Sequence, residues 1–331
     1  KFVKRQALLK VSLEQLQDFD ANQARAELEK AIGEPFEELS FSRAILDWQD
    51  QAAGESSQVE LARQRLDLAM HYCAWATITQ AGQAAHPQSI LFRQPGKVDP
   101  LNLLQHAHSQ RAQDVTIHVI DPAHIRRREG FALTDQGVDL RGALDQANYC
   151  IWCHKQGKDS CSKGLREKPD AQGKAAFKKT LFGVKLAGCP LEERISEFHL
   201  VKTQGHSIAA LAMIAIDNPM VAATGHRICN DCMKACIYQK QEPVNIPQVE
   251  TRALTDVLDL PWGFEIYSLL TRWNPLDLRR PLPRASTGRK VLVVGLGPAG
   301  FTLAHHLMND GHAVVGVDGL KIEPLAEEFS G

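Results

Sequence analysis

Seven of the eight cysteines in this 331-residue chain lie within one segment, and that grouping limits what the segment can fold into. They form two runs with one cysteine between them: CIWCHKQGKDSC from Cys150 to Cys161, then Cys189, then CNDCMKAC from Cys229 to Cys236. Thiolates two or three residues apart can reach the same zinc or iron centre without straining the backbone. The segment is therefore predicted to bind metal.

Other uses of these cysteines leave some of them unexplained. Disulfides pair thiols, but seven is an odd number and nothing else in the chain indicates export. The CxxCH pattern of Cys150, Cys153 and His154 matches covalent haem attachment, which would leave five thiols unused. A four-thiolate zinc site built from the two CxxC pairs would leave three thiols unused. Two iron–sulfur clusters use all seven thiols and need one more ligand.

The composition argues against a nucleic-acid or membrane partner. Lys and Arg number 38 and Asp and Glu 39, whereas both partners favour a basic surplus. The longest apolar run, Ile208 to Ile216, is too short to cross a bilayer and predicts a buried helix. The basic N-terminal residues lack the features of a signal peptide. We therefore expect a cytoplasmic protein with no membrane span and no nucleic-acid partner.

The first 145 residues are predicted to be mainly helical. Apolar spacing indicates a helix that ends at Gly33 and a second helix that begins at Ser57, where SQVE forms a capping-box pattern, and ends at Gly82. Cys73 lies on the apolar stripe of the second helix and is interpreted as a core residue. Alternation from Asp114 to Ile120 predicts a short strand. This part of the chain carries no recognisable chemistry.

A further helix is predicted to begin at Cys189. Pro190 suits the first helical position, and Leu191, Ile195 and Phe198 follow at helical spacing. The Cys189 sulfur would then lie at a helix N-terminus. Backbone N–H groups and the helix dipole stabilise a thiolate there.

The sequence after residue 288 has the pattern of a dinucleotide-binding βαβ unit. Its elements follow in the order strand Val291–Val294, GxGxxG turn, helix Phe301–Met308 and strand Ala313–Val317, ending in an acid. The glycines permit a sharp turn and close approach of a pyrophosphate, and the acid can accept a hydrogen bond from a ribose hydroxyl. No residue is assigned a catalytic role. The predicted cofactor-binding residues are Gly295, Gly297, Pro298, Ala299, Gly300 and Asp318.

From about Cys150 to Asp318, the chain resembles the small subunit of glutamate synthase and the N-terminal part of dihydropyrimidine dehydrogenase. The motifs that carry the resemblance are GCPLEERI, TGHRICNDCMKAC, PVNIPQVE and GLGPAG. In that family a helical domain carries two 4Fe-4S clusters, the glycine turn binds FAD, and a later domain takes electrons from NAD(P)H. The resemblance therefore implies electron transfer in an FAD-dependent and 4Fe-4S-dependent oxidoreductase.

The resemblance also implies which residues bind the two clusters. Glu250, after the PVNI segment, would supply the ligand that is not a cysteine. A departure from the family is the insertion of 27 residues between Cys161 and Cys189. The implied ligands are Cys150, Cys153, Cys161 and Cys236 for one cluster, and Cys189, Cys229, Cys232 and Glu250 for the other.

The predicted fold is mainly α with an α/β part. Residues 1–145 form an N-terminal domain of unknown role, 146–275 the helical iron–sulfur domain, 276–288 a linker, and 289–331 the first βαβ unit of a Rossmann-type FAD domain. The start at Lys1 and the end at Gly331 indicate a piece of a longer polypeptide, so NAD(P)H would bind a domain outside these residues. An electron-accepting partner subunit or domain is also expected. The rival interpretation is a non-catalytic docking module stabilised by zinc or degenerate clusters.

Overall fold

The computed structural model describes residues 2–55, 57–93, 99–101, 103, 107–125, 127, 129–130, 132 and 135–319. The chain divides into two compact units, Lys1–Lys97 and Val98–Gly331. Most elements are helices, and the described residues contain two small two-stranded sheets. These features agree with the predicted mainly α fold that includes a smaller α/β part.

The first unit is a group of helices packed around its longest helix, α4. Helices α1, α2, α3 and α5 all contact α4. Its core is rich in aromatic side chains, and Phe41, Tyr72 and Phe92 are almost completely buried. The helices are α1 Phe2–Lys10, α2 Ala21–Ile32, α3 Glu38–Ala53, α4 Val59–Ile78 and α5 Gln80–Ala85, with a 3-10 turn at Glu14–Leu16.

Of the five helices that the described residues of this unit form, the sequence predicted α2 and α4, and it placed one of three helix ends correctly. Gly33 ends α2 with φ of 78°, as predicted, and Cys73 is buried in the core. The capping box at Ser57 was wrong, because α4 begins two residues later after Gln58, which makes no side-chain cap. The predicted end at Gly82 was also wrong. The extended backbone of Thr79 ends α4 earlier, and its hydroxyl caps the separate helix α5.

The helices of the second unit pack around α12. This helix contacts α6, α8, α9, α10 and α13, and it buries Val249, Ala253 and Val257 completely. The apolar run from Ile208 lies in α9, whose inner face is buried as predicted. The helices are α6 Leu140–Tyr149, α7 Ser160–Lys163, α8 Ile195–Thr203, α9 Ser207–Asp217, α10 Val221–Ile228, α11 Asp231–Lys234, α12 Ile246–Leu258 and α13 Gly263–Leu270.

The second unit also contains a β-hairpin before these helices. Strands β1 (Ala107–Ala112) and β2 (Val115–Ile120) pair antiparallel, which confirms the strand predicted up to Ile120. The side chains of β2 are mainly exposed. Two short 3-10 helices, Pro122–His124 and Cys153–Gln156, complete the elements before α7. No helix within the described residues combines the length and apolar content that a bilayer crossing requires.

The last described element is a βαβ unit. Strands β3 (Lys290–Val294) and β4 (Ala313–Val317) pair in parallel, and α14 (Pro298–Asn309) connects them. Helix α14 begins at Pro298, three residues before the predicted start, because proline suits a first helical position. The N–H of Gly295 donates to the carbonyl of Val317 at 2.7 Å, so the glycine turn leaves the sheet directly after β3.

Candidate metal and cofactor site

Four of the predicted ligands lie around one cavity. Cys150 follows α6, Cys153 begins a 3-10 helix, Cys161 lies in α7, and Cys236 follows α11. These four cysteines line the cavity together with Ser160 and His199 and several apolar side chains. All four are buried. The structure therefore brings together the thiols that the resemblance assigns to one cluster.

The surroundings of this first group include some features that raise the pKa values of its thiols and others that lower them. Burial raises the pKa of Cys161, and the nearby Asp159, Cys150 and Cys236 raise it further. Burial also raises the pKa of Cys236, although backbone N–H groups that follow this residue lower it. The N–H of Trp152 lies 3.4 Å from the sulfur of Cys150. Bound metal cations would offset the cost of ionising these buried thiols.

A polar atom in the same cavity provides a separate test of whether a cluster fits. The Ser160 hydroxyl oxygen is buried and has no hydrogen-bond partner among the described residues. Ser160 lines the cavity beside the four cysteines. A buried hydroxyl without a partner is costly unless a bound group accepts a hydrogen bond from it. The sulfur atoms of a cluster would be such acceptors, so the chemistry of this hydroxyl suits the group that the resemblance implies.

The remaining predicted ligands form a second group. Burial raises the pKa of Cys232, and Glu250, Cys189, Glu193 and Cys229 contribute to this rise in that order. These neighbours therefore lie close to Cys232. Cys229 is the most exposed member, since it lies in extended backbone directly after α10. The structure thus gathers Cys189, Cys229, Cys232 and Glu250, as the resemblance implies.

Glu250 is a buried carboxyl and not a solvated surface acid. It lies in the first half of α12 and is only 7% exposed. The side-chain amide of Asn218 donates to Glu250 Oε1 at 2.7 Å. Burial raises the pKa of Glu250, while its hydrogen bonds to Asn218 and Glu193 lower it. These partners fix the direction of the carboxylate.

Glu193 is a residue of this site that the sequence analysis missed. It lies in the GCPLEERI motif, is 5% exposed and shares a hydrogen bond with Glu250. Burial raises the pKa of Glu193, and the adjacent Glu250 raises it further. The directions of the two shifts favour the shared proton on Glu193, which then donates a hydrogen bond to Glu250. The available signal was its position four residues after Cys189, inside a motif already noted.

The structure corrects the prediction for Cys189. A turn follows it, in which the N–H of Glu192 donates to the carbonyl of Cys189 at 3.0 Å, and Glu192 has φ of 52°. Helix α8 begins only at Ile195, so Cys189 does not lie at a helix N-terminus. A positive φ at a glutamate interrupts a helix, and this explains the late start. Burial raises the pKa of Cys189 to about 11, while the backbone N–H groups of Glu193 and Leu191 lower it.

The 27-residue insertion leaves and re-enters this region at one place. The N–H of Cys189 donates to the carbonyl of Cys161 at 2.8 Å, which joins the two ends of the insertion. Gly164 and Gly188 permit the close approach, because a Cβ on Gly188 would lie 2.6 Å from the backbone nitrogen of Gly164. Both glycines have φ above 80°. The hydrogen bond that closes the insertion therefore links Cys161 of the first group to Cys189 of the second group.

The cysteines are not arranged as a preformed site for one metal ion. All eight lie within the described residues, and none forms a disulfide. Across the described chain, no three histidine, cysteine or acidic side chains converge closely enough to hold a single ion. A four-iron cluster binds each ligand through a different iron, so its ligands lie farther apart than those of one zinc ion.

The glycine turn of the βαβ unit has one open position and one crowded position. A Cβ on Gly297 would meet no atom within 4 Å, whereas a Cβ on Gly300 would lie 1.7 Å from the carbonyl oxygen of Gly295. Pro298 begins α14 directly behind the open position. The carboxylate of Asp318 accepts a hydrogen bond from the N–H of Leu296 at 2.6 Å. An accessible turn in front of a helix N-terminus fits the pyrophosphate of a dinucleotide.

Comparisons with known proteins give partial matches. The chain matches no protein-family model. Over 107 residues it is 64% identical to the uncharacterized protein RP006 of Rickettsia prowazekii, which covers 32% of this chain and 15% of that protein. Over 219 residues it is 30% identical to the uncharacterized protein RP005 of the same organism, which covers 62% of this chain and 66% of that protein.

A third relative has a described activity. The chain is 33% identical over 128 residues to the glutamate synthase [NADPH] small chain of Mycobacterium tuberculosis, a stretch that covers 38% of this chain and 23% of that protein. The chain therefore spans less than two thirds of the length of these relatives. Over this stretch the chain is distantly related to the glutamate synthase small chain.

Proposed function

We propose that this chain belongs to an NAD(P)H-linked oxidoreductase of the glutamate synthase small-subunit type. It would form the iron–sulfur domain of that enzyme and the first βαβ unit of its FAD-binding domain. The observation that carries the proposal is the grouping of the ligands. Four thiols line one cavity, and three thiols and a buried carboxyl gather in a second group. Two sets of four ligands suit two 4Fe-4S clusters. The distant glutamate synthase relatives support electron transfer of the oxidoreductase type.

The residues of the chain have three roles in this proposal. The two ligand groups hold iron, and backbone N–H groups near Cys150 and Cys189 donate toward sulfur. The turn from Gly295 to Gly300, together with Asp318, holds the adenine dinucleotide part of FAD. The bound cofactors supply the electron transfer itself, while the protein sets their position and potential through burial and hydrogen bonds. No side chain of this chain needs to act as an acid or base.

Two parts of the proposal lie beyond the described residues. NAD(P)H would bind a further domain, by analogy with the relatives whose name includes NADPH. A partner subunit or domain would accept the electrons. A reducing cytoplasm would keep the ligand thiols available for iron.

Iron and acid-labile sulfide analysis of anaerobically purified protein tests the proposal. We expect brown protein with about eight irons and a similar amount of sulfide per chain, since two clusters of four irons are proposed. About one zinc per chain without sulfide would contradict the proposal. That result would instead favour the docking module stabilised by zinc.

A further inference from the structure

The insertion between the two cysteine groups folds into two consecutive hairpins, here called the insertion hairpins (165–186). In the first hairpin, an antiparallel β-bridge pairs the backbones of Arg166 and Phe177. The Arg166 guanidinium lies 4.2 Å from the centre of the Phe177 ring. In the second hairpin, an antiparallel β-bridge pairs the backbones of Lys179 and Lys185. The N–H of Leu165 donates to the carbonyl of Leu186 at 2.9 Å, so the segment is closed at its base. It is an ordered projection and not an irregular loop.

The insertion hairpins have a strong positive charge, although the net charge of the whole chain is close to zero. They contain six basic and two acidic residues, whereas the whole chain has a formal net charge of −1. The six basic residues are all exposed. Basic side chains concentrated on one projection create a positive field that attracts acidic partners and raises their rate of association. The basic residues are Arg166, Lys168, Lys174, Lys178, Lys179 and Lys185.

The tip of the second hairpin is apolar. The N–H of Thr180 donates to the carbonyl of Val184 at 2.8 Å and closes a turn that contains Leu181 and Phe182. These two side chains are 70% and 65% exposed, and Val184 is 52% exposed. A small apolar centre surrounded by charge is the usual composition of a protein–protein contact. The insertion hairpins therefore combine the two components of a docking surface.

From these features we infer that the insertion hairpins are the docking surface for an acidic electron-carrier protein, an inference that rests on the proposed function. Their base joins Cys161 of one ligand group to Cys189 of the other through a backbone hydrogen bond. A carrier bound to the hairpins would thus lie beside both groups. Weak redox encounters use small interfaces, below about 1,200 Å² in total, so a docking surface of limited extent is sufficient. An electron would pass between a cluster of this chain and the redox centre of the carrier, so that one is oxidised as the other is reduced.

The test measures binding of the iron-loaded chain to an acidic plant-type ferredoxin and to an acidic flavodoxin by calorimetry at low and high salt. The wild-type chain should bind at least one carrier, and added salt should weaken binding because exposed charges are screened. The double variant Lys178→Glu/Lys179→Glu should lower affinity at low salt at least about tenfold. Phe182→Ser should lower affinity with little change in the salt dependence. Lys10→Glu, which reverses an exposed charge in the first unit, is the control and should bind as wild type does.

Three outcomes would overturn this inference. The first is that neither carrier binds, and the second is that the hairpin variants bind as tightly as wild type. The third is that the chain binds vesicles of phosphatidylserine and phosphatidylcholine through the hairpins but binds neither carrier, which would make them a membrane-contact site. Iron analysis of the same samples separates failure of the proposed function. If protein without iron or sulfide still binds a carrier, the docking surface would be supported and the proposed clusters would be contradicted.

Discussion

The side-chain amide nitrogen of Asn218 donates a hydrogen bond to Glu250 at 2.7 Å, and the hydroxyl of Thr224 donates to the side-chain oxygen of Asn218, Oδ1, at 3.1 Å. Asn218 directly follows α9, Thr224 lies in α10 and Glu250 lies in α12. Three helices thus fix one carboxylate. Hydrogen bonds of this kind orient the groups that bind metals.

Substitution of Glu250 should separate its charge from its role as a ligand. Glu250→Gln keeps a carbonyl oxygen that can accept from Asn218, so only a negative charge is lost, and the reduction potential of that cluster should rise. Glu250→Ala should leave an iron without its ligand and make the cluster labile to oxygen. Iron content and an EPR-monitored redox titration of both variants check this. If both match wild type, Glu250 is not a ligand, and nearby Gln248 becomes the next candidate.

The Glu193–Glu250 pair should make the metal-free protein less stable as pH rises. Burial raises both pKa values above the usual 4.5, so the folded state keeps protons that the unfolded chain releases. The free energy of unfolding is therefore highest below pH 4.5. It falls as the pH rises from 4.5 to the pKa of each group in the folded state, by about 1.4 kcal/mol per pH unit for each proton. Glu193→Gln should flatten this profile in denaturant titrations between pH 5 and 8. Glu192→Gln, at an exposed neighbour, should keep the wild-type slope, and equal slopes in all three proteins would contradict the prediction.

Ser160 should tune the cluster held by Cys150, Cys153, Cys161 and Cys236. Its buried hydroxyl has no partner among the described residues and lines the same cavity. A hydrogen bond to cluster sulfur stabilises the reduced, more negative state. Ser160→Ala should therefore lower the potential of this cluster without loss of iron, and Ser160→Thr, which keeps the hydroxyl, should lie closer to wild type. An EPR-monitored titration decides, and an unchanged potential in the alanine variant would remove this role.

The glycine turn offers a matched pair of substitutions for flavin binding. Gly297→Val should abolish FAD binding while the fold and the iron content survive, because a Cβ there meets no protein atom within 4 Å. Gly300→Ala should instead destabilise the βαβ unit, because its Cβ would overlap the carbonyl oxygen of Gly295. Flavin absorbance and thermal unfolding of both proteins check this. Retained flavin in the valine variant would mean that the turn serves only packing.

Cys73 should have no part in iron binding. It is buried in the first unit, and burial raises its thiol pKa to about 12. Cys73→Ser should lower stability by about 1–3 kcal/mol, because it buries a hydroxyl in an apolar core. The iron content should stay at the wild-type value. Cys73→Ala should be milder in thermal unfolding, and loss of a cluster from either variant would show that Cys73 is a ligand.

Local signals in the sequence predicted several elements well. The βαβ unit follows the pattern of β-branched strands around glycines, and the position of Gly33 predicted the end of α2. Such features depend on neighbouring residues, so the sequence contains them. The start of α8 could not be predicted, because the positive φ of Glu192 depends on the turn that follows Cys189.

The site itself was only partly readable from sequence. The spacing of the cysteines predicts a metal site, but their division into two groups depends on helices far apart in the chain. Glu193 and Ser160 belong to common residue types, and only burial distinguishes them. The hydrogen bond between Glu193 and Glu250 joins residues 57 positions apart, which no local pattern reveals.

Helix α12 carries Glu250 on one turn and the fully buried Val249, Ala253 and Val257 along the same short length. With the proposed ligand set, iron bound at Glu250 would be coupled to the packing of this helix, so metal binding would add to the stability of the surrounding helices. Chains that lack iron would lose that added stability, unfold more often and be cut more readily by proteases. The helix would thereby act as quality control, since the cell would retain mainly those copies that are equipped for electron transfer.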